Sequence, residues 1–207
     1  MHRVTGERRR GLTVAILCGG QSRRMGQDKG LMPFLGRPLV QRVVERVQPL
    51  SGEIVLITNR PEAYRFLGLP MLQDALPGCG PLGGAFTAAA ACRSAALALV
   101  ACDMPFVNAA LLAYAREVME ADACDAVVPM AAAGPEALHA VYRAETCAPA
   151  MKAALDAGEL AMAGWLRRVR ARFIAPDEIA RFDPEGLAFV NVNTPEDFRA
   201  AERRARG

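Results

Sequence analysis

Apolar residues in this chain fall in short unbroken runs, separated by longer segments rich in Ala and Leu. The runs Leu12–Leu17, Glu53–Thr58, Leu97–Ala101 and Asp125–Pro129 are predicted as strands, with Arg172–Ile174 and Ala188–Val190 as later ones. The segments Pro38–Val47, Gly83–Ala95, Asn108–Glu120, Cys147–Ala157, Met162–Val169 and Pro195–Arg204 are predicted as helices. Pro38 and Pro195 suit a first helical turn, where a missing N–H costs nothing, and Thr194 suits an N-cap. The early strands are continuously apolar rather than alternating, which fits a parallel sheet buried on both faces. Strand–helix alternation then gives an α/β fold: a single-domain, doubly wound, mostly parallel sheet with helices on both faces. Such folds bind ligands beyond the carboxyl ends of their strands, so the residues that follow each strand carry the search for function.

The chain has 207 residues, 52% of them hydrophobic, enough for one substantial core. Residues 12–207 are expected to form one domain behind a flexible basic arm, 1–11. The arm and the apolar Leu12–Cys18 imitate a secretory signal. However, the apolar run is about seven residues, the lower limit, and it ends in Gly-Gly-Gln-Ser-Arg-Arg. No stretch approaches the roughly 20 apolar residues of a membrane span. The formal net charge of +3 does not call for nucleic acid. The clusters Arg8, Arg9, Arg10 and Arg203, Arg204, Arg206 read as solvated tails. The six cysteines, at 18, 79, 92, 102, 124 and 147, form no Cys-x-x-Cys and have no His-rich partners, so reduced thiols in the cytoplasm are expected and zinc is not.

After the first strand comes Leu17-Cys18-Gly19-Gly20-Gln21-Ser22-Arg23-Arg24-Met25-Gly26-Gln27-Asp28-Lys29. Paired glycines let backbone approach a ligand closely, and exposed N–H groups in such a loop can nest an anion. Arg23, Arg24 and Lys29 add mobile positive charge, a combination that suits a triphosphate. A tight turn with solvated arginines is the plainer reading. The Gly-x-x-x-x-Gly-Lys-Ser/Thr spacing of a Walker A loop is absent.

Asp103 follows the strand Leu97–Ala101 and is placed to hold Mg²⁺, which keeps several waters and needs only one or two protein carboxylates; a turn cap is the alternative. Gly78-Cys79-Gly80-Pro81-Leu82-Gly83 matches Gly-x-Gly-x-x-Gly, but no apolar strand runs into Gly78. A nucleotide-facing loop that opens a helix fits better than a dinucleotide fingerprint. Asn59 and Asp74 each follow an apolar run and could contact ribose or base, or simply form turns. Asn191 and Asn193 flank Val192, which puts both amides on one side of an extended segment. His139 reads as a packed histidine, and Trp165 as core or surface lid.

Taken together these residues resemble the molybdenum cofactor guanylyltransferase family. The motifs are Leu17-Cys18-Gly19-Gly20 through Arg23-Arg24-Met25-Gly26 to Asp28-Lys29, then Gly80-Pro81-Leu82-x-Gly84, Cys102-Asp103-x-Pro105 and Asn191-x-Asn193-Thr194-Pro195. They appear in the family's order and span residues 12 to about 200; Cys18 stands where the family usually has Ala. The resemblance implies a Rossmann-like nucleotidyltransferase that joins GMP from Mg-GTP to the phosphate of molybdenum-bearing molybdopterin. The products would be the guanine dinucleotide form of the cofactor and pyrophosphate. It implies nucleotide contacts at Leu17, Cys18, Gly19, Gly20, Arg23, Lys29, Asn59, Asp74, Gly80, Pro81, Leu82 and Asp103. Mg²⁺ is expected on Asp103, catalytic roles for Lys29, Asp103 and Arg24, and the pterin substrate near Asn191 and Asn193. Molybdenum insertion proteins and acceptor molybdoenzymes are the partners it suggests.

The nucleophile in such a reaction is already anionic, so no general base is required and catalysis is positioning plus charge neutralisation. A cytidylyltransferase acting on the same pterin, or a sugar-phosphate nucleotidyltransferase, would share the fold and most of the loop. A non-enzymatic nucleotide or cofactor carrier would keep the loop without needing Asp103.

Overall fold

A computed structural model describes residues 9–19, 28–50 and 52–206. Among the described residues, ten strands and seven α-helices follow one another. They are β1 (Arg9–Leu17), β2 (Pro33–Phe34), β3 (Arg37–Pro38), α1 (Leu39–Val47), β4 (Glu53–Ile57), α2 (Pro61–Tyr64), β5 (Met71–Leu72), α3 (Gly80–Ala91), β6 (Ser94–Ala101), α4 (Ala109–Ala121), β7 (Ala126–Ala131), β8 (Gly134–Pro135), β9 (His139–Arg143), α5 (Ala144–Asp156), β10 (Ala171–Ile174), α6 (Pro176–Ala180) and α7 (Pro195–Arg206). The main sheet runs β5-β4-β1-β6-β9-β7-β10, with β8 hairpinned onto β7. β1 pairs in parallel with β4 on one side and β6 on the other, so the strand order reverses at β1. That reversal opens a crevice at the carboxyl ends of β1, β4 and β6.

Alternate residues of β1 feed two cores. Leu12, Val14, Ile16 and Cys18 pack with Val40, Val43 and Val47 of α1 and Leu111 and Leu112 of α4. Ala15 and Leu17 face the other way, toward α3, α5 and Trp165. This alternation between two buried faces is why β1 runs unbroken apolar from Val14 to Leu17. A third, smaller cluster joins Phe34, Leu39, Phe106 and Val192 to Phe198 and Ala201 of α7, so the last helix is clamped against the β2–β3 hairpin.

The predicted strands at the centre of the sheet are present, and β1 begins at Arg9, three residues earlier than expected. Five readings are corrected. Ala188–Val190 is a turn, because the Asp183 carboxylate accepts from the N–H groups of Leu187 and Ala188 and Val190 N–H bonds Leu187 C=O. The helix expected over Met162–Val169 is a 3₁₀ segment, Gly164–Arg168, that drives Trp165 into the core, fully buried. The helix expected at Gly83 starts at Gly80, with Pro81 in its first turn, and stops at Ala91 so that Ser94–Ala96 can join β6. Pro38 precedes α1 as its N-cap rather than occupying its first turn, and α5 begins three residues before Cys147, carrying Pro149 inside it.

β9 has no counterpart among the sequence-based elements. It lies antiparallel between β6 and β7 and carries His139, which is completely buried. Among the described residues no helix is long and apolar enough to cross a membrane.

Candidate active site

The crevice is built by the segments that leave β1, β4 and β6. Cys18 N–H donates to Ile57 C=O of β4 (2.8 Å), and Cys102 N–H donates to Leu17 C=O (3.1 Å), so the sheet ladder continues one residue past each strand. The polar backbone of Leu17 and the N–H of Cys18 are thereby taken up by the sheet, and these two residues shape the crevice floor. Cys18 is buried, and its thiol is held in neutral form, its pKa raised by hydrogen bonding with Cys102 and by burial. Gly19 is exposed, with open space where a Cβ would sit. Gly20, Arg23 and Arg24 lie outside the described residues.

The chain returns at Asp28, which caps a 3₁₀ turn, Lys29–Leu31, by accepting from Gly30 N–H (3.2 Å). Lys29 leaves this turn and meets Asp103 at the end of β6, Nζ to Oδ2 3.3 Å. The same ammonium donates to the Asn193 Oδ1 at 2.5 Å. Residues from three distant parts of the sequence therefore converge on one point. Both charged side chains remain one-fifth exposed, open to the crevice.

Asn193 arrives there because Val192 is fully buried in the third cluster and its N–H donates to the Asp103 C=O at 3.0 Å. That leaves Asn191 and Asn193 both exposed on either side, as the alternation predicts. Only Asn193 reaches Lys29; the Asn191 amide donates to Phe189 C=O. The segment is locked by a reciprocal cap on α7: Asp197 Oδ2 accepts from Asn193 and Thr194 N–H, and Thr194 Oγ1 accepts from Asp197 N–H. These bonds, the Asn193 N–H foremost, hold the Asp197 carboxyl below its usual pKa.

On the opposite side, Asn59 Oδ1 accepts from Asp74 N–H (3.0 Å), and Asp74 Oδ1 accepts from Leu76 N–H (2.9 Å) and Thr87 Oγ1 (3.3 Å). Asn59 and Asp74 thus form one connected ledge against the start of α3. Gly80 and Pro81 open that helix and stay exposed at its first turn, whereas Leu82 is buried beneath them. At Gly83 a Cβ would come within 2.8 Å of Leu76 C=O and 3.2 Å of Asp74 Oδ1, so the helix can sit this close only with glycine there.

The donor set fits Mg²⁺ in one particular way. Asp103 offers a hard carboxylate oxygen at the crevice, but among the described residues no three His, Cys, Asp or Glu side chains gather into a self-sufficient metal site. An ion held by one carboxylate would need oxygens from phosphate and water, the usual condition for Mg²⁺ in nucleotide enzymes.

Sequence reading missed Tyr64 and Asp197. Tyr64 acts through Asp28, 36 positions away, whereas Asp197 had a local signal in Thr194-Pro195-Glu196-Asp197, a capping pattern.

A cation and a carboxylate facing each other over the switch point of a doubly wound sheet, beside a glycine-opened helix, have the layout of a nucleotidyltransferase crevice. Comparison with known proteins carries the assignment further. Residues 14–173 match the model of the MobA-like NTP transferase domain. A molybdenum cofactor guanylyltransferase of Shewanella pealeana is 36% identical over 187 residues, covering 88% of this chain and 90% of the relative. The crystal structure of molybdopterin-guanine dinucleotide biosynthesis protein A from Archaeoglobus fulgidus superposes with a TM-score of 0.81 at 27% identity, covering 94% of this chain and 98% of that one. A Mycobacterium tuberculosis protein solved in complex with manganese shares the fold, with a TM-score of 0.66 at 19% identity over 94% of this chain and 98% of that one. The chain belongs to the MobA-like NTP transferases, in the molybdenum cofactor guanylyltransferase family.

Proposed function

We propose that the protein transfers GMP from GTP to the terminal phosphate of molybdenum-bearing molybdopterin, releasing pyrophosphate. A phosphate oxygen of the pterin bonds to the α-phosphorus, and the bond from that phosphorus to the β-bridging oxygen breaks. The observation that carries this reading is the convergence of Lys29, Asp103 and Asn193, which brings the nucleotide side and the acceptor side of the crevice into contact.

In this reading Gly19, Gly20, Arg23 and Lys29 face the triphosphate over a floor made by Leu17 and Cys18. Asn59 and Asp74 face ribose and base, and Gly80, Pro81 and Leu82 present the first turn of α3 to the nucleotide. Asn191 and Asn193 face the pterin. Lys29, with Arg24, neutralises charge that develops on the departing pyrophosphate. Asp103 holds Mg²⁺, which when bound supplies further charge neutralisation to the phosphate oxygens. Lys29 exchanges its Asp103 and Asn193 partners for phosphate oxygen, so its ion pair holds the ammonium at the crevice until substrate arrives. The six free thiols fit a cytoplasmic enzyme.

The test is thermal stabilisation by GTP, CTP and ATP, each with and without Mg²⁺. A ligand confined to the folded state stabilises by about 2.7 kcal/mol at 100 times its dissociation constant. For a chain of this length that is a shift of several degrees. A shift with GTP that grows with Mg²⁺ and is small with CTP or ATP is expected. A preference for CTP would assign a cytidylyl donor instead, and no shift with any nucleotide would overturn the site.

A further inference from the structure

Tyr64 ends α2, just beyond the Asn59 loop, and its side chain is fully buried. Its hydroxyl donates to Asp28 Oδ1 at 2.6 Å. That same oxygen caps the Lys29–Leu31 turn through Gly30 N–H, and Arg60 Nη1 stands 3.8 Å from the other carboxylate oxygen. The hydroxyl also occupies the space beside Gly30: a Cβ there would lie 2.9 Å from it and 3.3 Å from Cys102 Sγ. The Lys29 turn is therefore gripped from both sides, by a hydrogen bond to its cap and by packing against its glycine. Burial, together with the nearby Cys102, Cys18 and Asp28, pushes the Tyr64 pKa up, so the hydroxyl stays protonated and remains a donor.

We propose that Tyr64 is a positioning residue for nucleotidyl transfer: through Asp28 it fixes the Lys29 turn, and with it the point at which the ammonium meets Asp103 and the phosphates. Because Tyr64 and Arg60 both follow β4, the strut also ties the phosphate side of the crevice to the Asn59 side. The inference rests on the role given to Lys29 above. Lys29 reaches its partners on a flexible stem, so the turn that launches it decides how much of its time is spent in the productive place.

The experiment is a kinetic double-mutant cycle, read as pyrophosphate release from GTP in the presence of the molybdopterin acceptor. Tyr64→Phe keeps the buried ring and removes only the hydroxyl. It is expected to lower kcat about tenfold, the scale of one hydrogen bond to a charged group, while KM for GTP changes little. In a Lys29→Ala background the same change should cost nothing more. Asp28→Ala breaks the strut at its carboxylate end and should show the same loss in kcat and the same silence beside Lys29→Ala, which keeps the test valid if Tyr64→Phe folds poorly. An unchanged kcat in both single variants, or a Tyr64→Phe loss that persists in full without Lys29, would overturn the proposal. Wild-type turnover by Lys29→Ala alone would instead remove the reading on which it rests.

Discussion

At the scale of single residues, the site depends on groups whose chemistry matters more than their packing. Asp103 is one-fifth exposed, and its backbone C=O, not its carboxylate, anchors Val192. Asp103→Ala is accordingly expected to lower kcat by about 10²–10³, the usual cost of losing a preorganised electrostatic partner, while the thermal midpoint of the free enzyme stays near wild type. Pyrophosphate release and a melting curve on the same preparation check both halves. Normal turnover in a folded Asp103→Ala protein would sink the metal assignment. Asp103, Lys29 and Asn193 were legible in the sequence because each follows or precedes a strand or helix signal and carries a charge or amide out of an apolar context. Asp28 was legible only as part of the Asp28-Lys29 motif, and Tyr64 not at all: their bond joins positions 36 apart, and a Tyr between Ala63 and Arg65 carries no local signal.

At the scale of elements, the α7 cap shows how local sequence rules reach the site. Thr194 was readable as an N-cap, and the structure adds that the same cap orients Asn193. Thr194→Ala should cost about 1 kcal/mol in urea unfolding, the typical value for a lost N-cap. A loss within error would mean that Asp197 alone holds the segment. The sequence failed where side chains competed with backbone pairing. Asp183 takes the N–H groups that would have made Ala188–Val190 a strand. The start of α3 hid three residues of helix, because Gly80 is a poor helix former and Gly78-Cys79-Gly80-Pro81 reads as a turn.

At the scale of the whole molecule, hydrophobic patterning pointed to the doubly wound class but not to β9, whose five residues open on a histidine and end on an arginine that runs directly into α5. Its burial of His139 has a measurable effect. His139 Nε2 accepts from Asn108 N–H (2.9 Å), its ring stacks edge-on with Phe189, and Nδ1 is buried with no partner among the described residues. Burial lowers its pKa to about 4, against a small opposing pull from Asp183. The unfolded chain takes up this proton near pH 6.5, while the folded protein resists until about pH 4. Stability is therefore full above pH 6.5 and declines as pH falls toward 4, by about 2 kcal/mol between pH 7 and 5 from this group alone. His139→Gln, which keeps an acceptor for Asn108, should flatten denaturation midpoints across that window; an unchanged slope would show that other groups set it. One last consequence follows from the bond between Lys29 and Asn193, 164 positions apart. The matched domain ends at residue 173, inside β10, so a chain translated to that point holds nearly all of the sheet but not Asn193. In the proposed reading a segment that follows the matched domain completes the crevice, so a chain stopped at residue 173 would lack the Lys29–Asn193 contact.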